Sequence, residues 1–471
     1  MSFTSVTYFL FVGISLLIYT IVPKRAKWCV LLGASAVYYV MAAGLRTLWL
    51  VAAILIVYGG GLLLGHLNDQ GKARRKAAAD KEEKKQIRKK YDAKKRAVVT
   101  VAVLGVFGLL IALKYVNFLG ESAYGIAGLF GSKSAYQPVQ ILLPLGISYY
   151  TLCAVSYVVD VYRGKYKPER NFFKLALFLS FFPQMTEGPI GKYEIMMPRL
   201  VEGHSFDFER DAQAVMRIFW GMFKKMVIAD RANLVVTGVF DNGDQAGSMV
   251  LLGTLLYTVQ IYCEFSGCMD IVCATGQLFG VEMQENFRRP IFSKTINEFW
   301  QRWHITLGAW IKEYVFFSVS LSKGLMNLSK HTRKKLNDYF ANLVPMTFAL
   351  FCVWFFNGIW HGASWKYVLY GLYYYILMMI GMYLRPVSDK LLHALHIAPE
   401  SKGFALFQMV RTFLIVNVGM MLFRCHTITQ WGQSLARIFT DFDGACLTNG
   451  TVLSLGNDWQ DFLIMGIGVL V

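Results

Sequence analysis

Among the eight cysteines of this 471-residue chain there is no Cys-x-x-Cys pair. Cys263, Cys268 and Cys273 recur every five residues. On a helix that spacing turns each about 140° from the last, so they do not converge on one metal ion. They are read as small apolar fillers, and no disulfide framework is implied. A cleavage-site pattern is missing after the first apolar run, which is therefore read as a retained helix. Acidic residues are scarce, 30 against 48 Lys and Arg, for a net charge of +18. Half of that excess lies between Lys72 and Arg96, where thirteen Lys/Arg stand against four Asp/Glu. Tyr91 is the one aromatic residue there, so the stacking platforms of a nucleic-acid site are absent and no nucleic-acid partner is expected. The segment reads as a solvated cytoplasmic loop obeying the positive-inside rule, with an attraction to anionic lipid.

What the chain has in abundance is apolar sequence: 55% hydrophobic residues and a mean hydropathy of +0.41. Runs near membrane-spanning length occur at 4–22, 28–45, 47–65, 97–113, 141–159, 343–360 and 367–384. A globular core cannot bury so many. A bilayer solvates their faces while helical hydrogen bonds satisfy the backbone. The expected fold is all-α and polytopic, with about ten to twelve membrane-embedded helices, re-entrant and interfacial segments included. Residues 1–471 are taken as one membrane domain: N-terminal helices at 1–67, the basic loop at 68–96 and the remaining helices at 97–471. Placing 68–96 in the cytoplasm puts the basic "PKRAK" loop (Lys24, Arg25, Lys27) and "DVYRGKYKPER" on the same side, and the weakly charged 117–140 outside. The apolar run at 462–471 is too short to span, so it is either shallow or part of a longer helix.

"FLSFFPQMTEGPIG" carries Pro183, Glu187, Gly188, Pro189 and Gly191 after a short apolar run. Such a break is tolerated at membrane depth only where protein or a wet cavity lines it, so a bent or re-entrant segment is expected. Glu187 is then an intramembrane carboxylate, either functional or an acceptor for the freed backbone amides.

In "ENFRRPIFSKTINEFWQRWHITLGAWIKEYVF", Thr295 and Glu298 form a capping box that starts a helix. Trp300, Trp303, His304, Leu307 and Ile311 then fall on one face, and Arg302 lies within pairing distance of Glu298. Basic residues flank the element on both sides, placing it along or just inside the cytoplasmic interface, with His304 near the inner face. The run 343–360 leaves the same basic side, so His361 lies deep or toward the outer side. A lone histidine is ordinarily a satisfied core side chain. In "NGIWHGASW", however, Gly358 and Gly362 permit close backbone approach around His361. A neutral imidazole at depth can take a proton from a hydroxyl.

The stretches "LPLGISYYTLCAVSYVVDVYRG", "FFPQMTEGPI", "EFSGCMDIVCATGQLFGVEMQENFRRPIFSKTINEFWQRWHITLGAWIKEYVF" and "NGIWHGASWKYVLYGLYYY" together resemble the membrane-bound O-acyltransferases, specifically the bacterial branch of the alginate O-acetylation membrane protein. The resemblance spans roughly residues 141–375, with a catalytic core expected at about 141–385. It implies a ring of tilted helices around a thinned centre crossed by a tunnel. It implies that His361 is the essential base and that His304 lines the same site. It also implies a multi-pass protein of the bacterial cell (plasma or inner) membrane. An acyl group, acetyl in the first place, would come from a cytoplasmic thioester, acetyl-coenzyme A or an acyl-carrier protein, with no tightly bound cofactor and no metal. The acceptor would be a hydroxyl of an extracytoplasmic polysaccharide, or a partner acyltransferase outside the cell membrane. Trp303, Trp360 and Trp365 would wall the tunnel, and Asn286, Glu264, Asp270, Arg302 and Glu187 complete the expected substrate-binding set. The chain has Gly267-Cys268-Met269-Asp270 where Gly-Tyr-Ser-Asp is common in the family, and Lys312-Glu313-Tyr314 where Arg-Asp-Tyr is common. Three other readings stay open: D-alanyl transfer to teichoic acid by the same fold, a transporter without chemistry, and a scaffold. An internal inverted repeat, which would favour the transporter, is not visible.

Overall fold

A computed structural model describes residues 2–242 and 245–470. Helices dominate it, and among the described residues no strand forms beyond one isolated bridge between Phe287 and Trp303. Five helical stretches are long and apolar enough to cross a membrane: Lys24–Ala77, Lys81–Leu129, Gly247–Leu278, Asp338–His361 and Lys402–Arg424. The pair Trp365–Tyr383 and Arg385–Ala394, bent by 54°, makes a sixth if it is one span. The protein is therefore a multi-pass membrane protein. The figure of ten to twelve embedded helices also counted runs that the structure joins or shortens. The runs at 28–45 and 47–65 belong to one helical stretch, and Val6–Ile21 has only 16 residues.

The chain packs as two compact units, Met1–Arg217 with Val272–Gln284, and Ile218–Ile271 with Glu285–Val471. In the first, a long hairpin of Thr47–Ala77 and Lys81–Leu110 packs against Ile147–Arg163. The basic segment expected as a loop is almost wholly helical, its break reduced to residues 78–80. Its Ala, Lys, Arg and Glu content favours helix over loop. Asp80 caps the second helix by accepting the Glu83 N–H at 2.6 Å, while Glu83 accepts the Ala79 N–H at 2.9 Å. Lys85–Glu82, Arg88–Asp92 and Lys95–Asp92 pairs lace the exposed turns.

The break expected after the short apolar run is present. Helix Phe172–Ser180 stops, and turns carry the chain to Tyr193–Glu202. Gly188 donates to the Gln184 carbonyl at 2.9 Å, and a Cβ there would lie 2.5 Å from the Gln184 Cα, so the turn needs glycine. Glu187 sits exposed at the end of this turn.

In the second unit, the 338–361 helix packs along Trp365–Tyr383. Gly358 and Gly371 make the crossing possible: their Cα atoms face one another, and a side chain on either would run into the other helix's backbone. The close approach that Gly358 permits is thus by the next helix of the same chain. A core of Phe299, Trp303, Trp354, Tyr370 and Tyr374 lies beside it. Gly358→Val is expected to force the two helices apart, lowering stability by about 1–3 kcal/mol. Thermal unfolding of the solubilised protein checks this, and turnover should fall with it because His361 lies one turn further along the same helix.

Candidate active site

The element expected as one continuous helix is two. Ile296–Arg302 ends at Trp303, which is extended, and Ile305–Ile311 begins after His304. His304 itself is left-handed, with φ 49° and ψ 53°. That conformation is uncommon outside glycine, and no proline or glycine in "RWHIT" announces it. The Thr295 cap forms as expected, accepting the Glu298 N–H at 3.1 Å. Glu298 reaches back to the Lys294 N–H at 2.8 Å and pairs with Arg302 at 2.5 Å.

Asn286 accounts for the break. Its backbone carbonyl accepts from Ile305 N–H at 3.0 Å. Its side-chain Oδ1 accepts from both the N–H and the hydroxyl of Thr306 at 3.0 Å, and lies 3.2 Å from His304 Nδ1. Asn286 is 1% exposed and His304 4%. One residue from outside the element, through its backbone carbonyl and its side chain, therefore satisfies the Ile305 and Thr306 amides freed where the helix stops.

A cavity of about 410 Å³ lies beside this break, and both histidines line it. Trp300, Trp303, Leu307 and Ile311 also line it, so the face read from the sequence survives the interruption. The other wall includes Trp354 and Asn357 of the 338–361 helix. The Trp360 ring bridges the imidazoles, 5.7 Å from His304 and 5.1 Å from His361 between centroids. Phe265 packs edge-on to His304, while Tyr370 and Phe423 pack edge-on to His361. Burial pushes the His304 imidazole down to about 3, with the charge of His361 acting in the same direction. The ring is thus neutral at physiological pH. Its Nε2 is buried and has no hydrogen-bond partner among the described residues.

The remaining expected residues divide. Arg302 is held by Glu298, as the spacing foretold, and is not on the cavity wall. Trp365 is 54% exposed at the start of its helix and does not line the cavity. Glu264 and Asp270 belong to a ladder of ion pairs. Asp270 pairs with Lys224 at 2.5 Å, and Glu264 with Lys225 at 2.9 Å, which also reaches Asp230. The π-helical turn Phe223–Ala229 brings the lysines there, because Gly221 and Gly267 let their two helices nearly touch. Glu187 lies in the other unit. Asn357 and Thr306 escaped the sequence reading, and Lys312 entered it only as a departure from the family's pattern. Asn357 was legible as the residue four before His361, on the same face of the helix.

The family model described as MBOAT, membrane-bound O-acyltransferase family, matches residues 169–332. Over 438 residues the chain is 30% identical to "Probable alginate O-acetylase AlgI" of Azotobacter vinelandii, covering 93% of this chain and 77% of that protein. A protein of the same name in Pseudomonas putida is 30% identical over 77% of this chain, which spans 64% of the relative's length. "Teichoic acid D-alanyltransferase" of Bacillus subtilis is 26% identical, over 61% of this chain and 70% of that protein. The chain belongs to the membrane-bound O-acyltransferase family.

Proposed function

We propose that this membrane O-acyltransferase moves an acetyl group from a cytoplasmic thioester to a hydroxyl on the far side of the bacterial plasma membrane. The observation that carries the reading is that His304 and His361, 57 positions apart in sequence, line one cavity and share the ring of Trp360. His361 takes the proton of the acceptor hydroxyl, and the oxygen attacks the thioester carbonyl carbon. As the tetrahedral centre collapses the carbon–sulfur bond breaks, and the imidazolium returns its proton to the departing thiolate. The aromatic walls keep water from the thioester.

The donor is the thioester of coenzyme A or of a carrier protein, both of which carry phosphate. The exposed part of the cavity wall holds Asn297, Gln301 and Lys312, suited to amides and a phosphate on a linear arm. Lys312→Glu is expected to raise the KM for the donor about tenfold at low salt, less at high salt, with kcat near wild type. Steady-state kinetics at two ionic strengths check it.

The acceptor is a cell-surface polysaccharide hydroxyl, or a partner acyltransferase outside the membrane that relays the group. The relatives named for alginate acetylation are more similar to this chain than the one named for D-alanyl transfer, which favours acetyl. Membranes containing the protein, supplied separately with labelled acetyl-coenzyme A and a D-alanyl carrier protein, test this. Label transferred from the first alone is the expected result. Transfer from the second alone would replace acetyl by D-alanyl, and a labelled substrate recovered unchanged on the far side would replace transfer by transport.

A further inference from the structure

The hydrogen bonds around Asn286 fix more than the path of the chain. The atom of its amide that faces the Thr306 N–H must be an acceptor, because a backbone N–H can only donate. The Thr306 hydroxyl bonds the same atom. The amide nitrogen is turned the other way, 3.4 Å from the sulfur of Met269. The Oδ1 assignment therefore follows from the network, and it settles the imidazole as well. His304 Nδ1, 3.2 Å from that oxygen, must carry a proton, since two lone pairs would otherwise be pressed together. A neutral ring with its proton on Nδ1 has a bare lone pair on Nε2. That nitrogen is the one left without a partner among the described residues, on a ring that lines the cavity while Asn286 does not.

We propose that Asn286 is a positioning residue that holds His304 in the Nδ1–H tautomer, so that its Nε2 can only accept a hydrogen bond or a proton in the reaction. This rests on the reading of the cavity as the site of acyl transfer. It assigns His304 to the hydroxyl side of the chemistry and excludes it, in its neutral form, from donating to the oxyanion of the tetrahedral intermediate. The left-handed backbone at His304 serves the same end: it turns the ring back toward Asn286, and the Asn286 carbonyl closes the turn through Ile305. The rings of Phe265 and Trp360 flank the imidazole, and His361 is the titratable group whose charge bears on it.

The test begins with the wild-type full-length protein, labelled with ¹⁵N-histidine and reconstituted in lipid. The His304 signals are assigned by difference from His304→Gln. A neutral ring protonated on Nδ1 is the expected result, and one protonated on Nε2 overturns the proposal without reference to turnover. Asn286→Ala should lose that tautomer and about 10–100-fold in kcat, with the donor KM within about twofold. Asn286→Asp, which keeps the acceptor, should recover the Nδ1–H ring and most of the turnover. Its carboxylate favours the imidazolium, so the acidic limb of the pH–rate profile should move to higher pH. An Asn286→Ala protein with unchanged tautomer and kcat contradicts the assignment. A wild-type Nδ1–H ring in a protein whose turnover survives His304→Ala would remove His304 from the chemistry, and with it the catalytic half of this proposal, while leaving acyl transfer in place; a wild-type protein that transfers no acyl group would overturn the proposed function instead.

Discussion

His361→Ala is expected to lower acyl transfer by about 10²–10⁴-fold, the range that positioned general-base catalysis contributes. The protein should remain folded, because two of the rings that flank the imidazole, Tyr370 and Phe423, pack on one another without it. Donor affinity should change little, since the proton that the proposed base removes belongs to the acceptor. Turnover of labelled acetyl-coenzyme A, measured beside thermal unfolding of the same preparation, separates loss of chemistry from loss of fold. A folded His361→Ala protein that transfers at the wild-type rate removes His361 from the mechanism.

Asp270→Asn carries the second large effect, and it falls on stability. Asp270 and Lys224 are 15% and 12% exposed in their side chains, and the helix that holds Asp270 is long and apolar enough to span the membrane. Removing the Asp270 charge leaves Lys224 with no ionic partner among the described residues, in a medium that solvates it poorly. Breaking such a buried pair typically costs about 3–5 kcal/mol. Lys224 keeps its hydrogen bond to the Ser266 hydroxyl, 3.0 Å away, which offsets a part of that. The double variant Lys224→Met/Asp270→Leu should recover most of the loss, because replacing both charges by apolar groups is often neutral or stabilising. Thermal unfolding of the three proteins in one detergent closes the cycle. Equal losses in the single and double variants would show that the pair is not what holds this crossing.

The elements with long apolar patterns were legible because lipid demands a helix wherever such a run occurs. The run at 147–163, inside 141–159 and just beyond it, the run at 343–360 and the run at 367–384 all lie in helices close to the positions read. The segment at 72–96, read as a solvated loop from the positive-inside rule, is helical apart from residues 78–80, because Lys, Arg, Glu and Ala favour helix in water too. The break at His304 was not legible. Periodicity continues straight through it, and the partner that stabilises it, Asn286, lies 18 positions earlier. Asp270 and Glu264 were candidates as members of the substrate-binding set expected from the family resemblance. Their lysine partners stand 46 and 39 positions away, and only the close contact of Gly221 with Gly267 reveals the pairing. Trp365 shares a motif with His361, but a turn after Gly362 carries it to the surface. Motif membership thus marked the neighbourhood of the site, while three-dimensional packing decided which of its members face the cavity.

The most direct measurement is the structure of the full-length protein in lipid with a non-cleavable acetyl-coenzyme A analogue, its sulfur replaced so that the carbonyl persists. The account predicts density for the analogue's carbonyl in the cavity between His304 and His361, with its phosphates toward Lys312. An analogue bound elsewhere, with both imidazoles enclosed by packing and no passage reaching either, would contradict it.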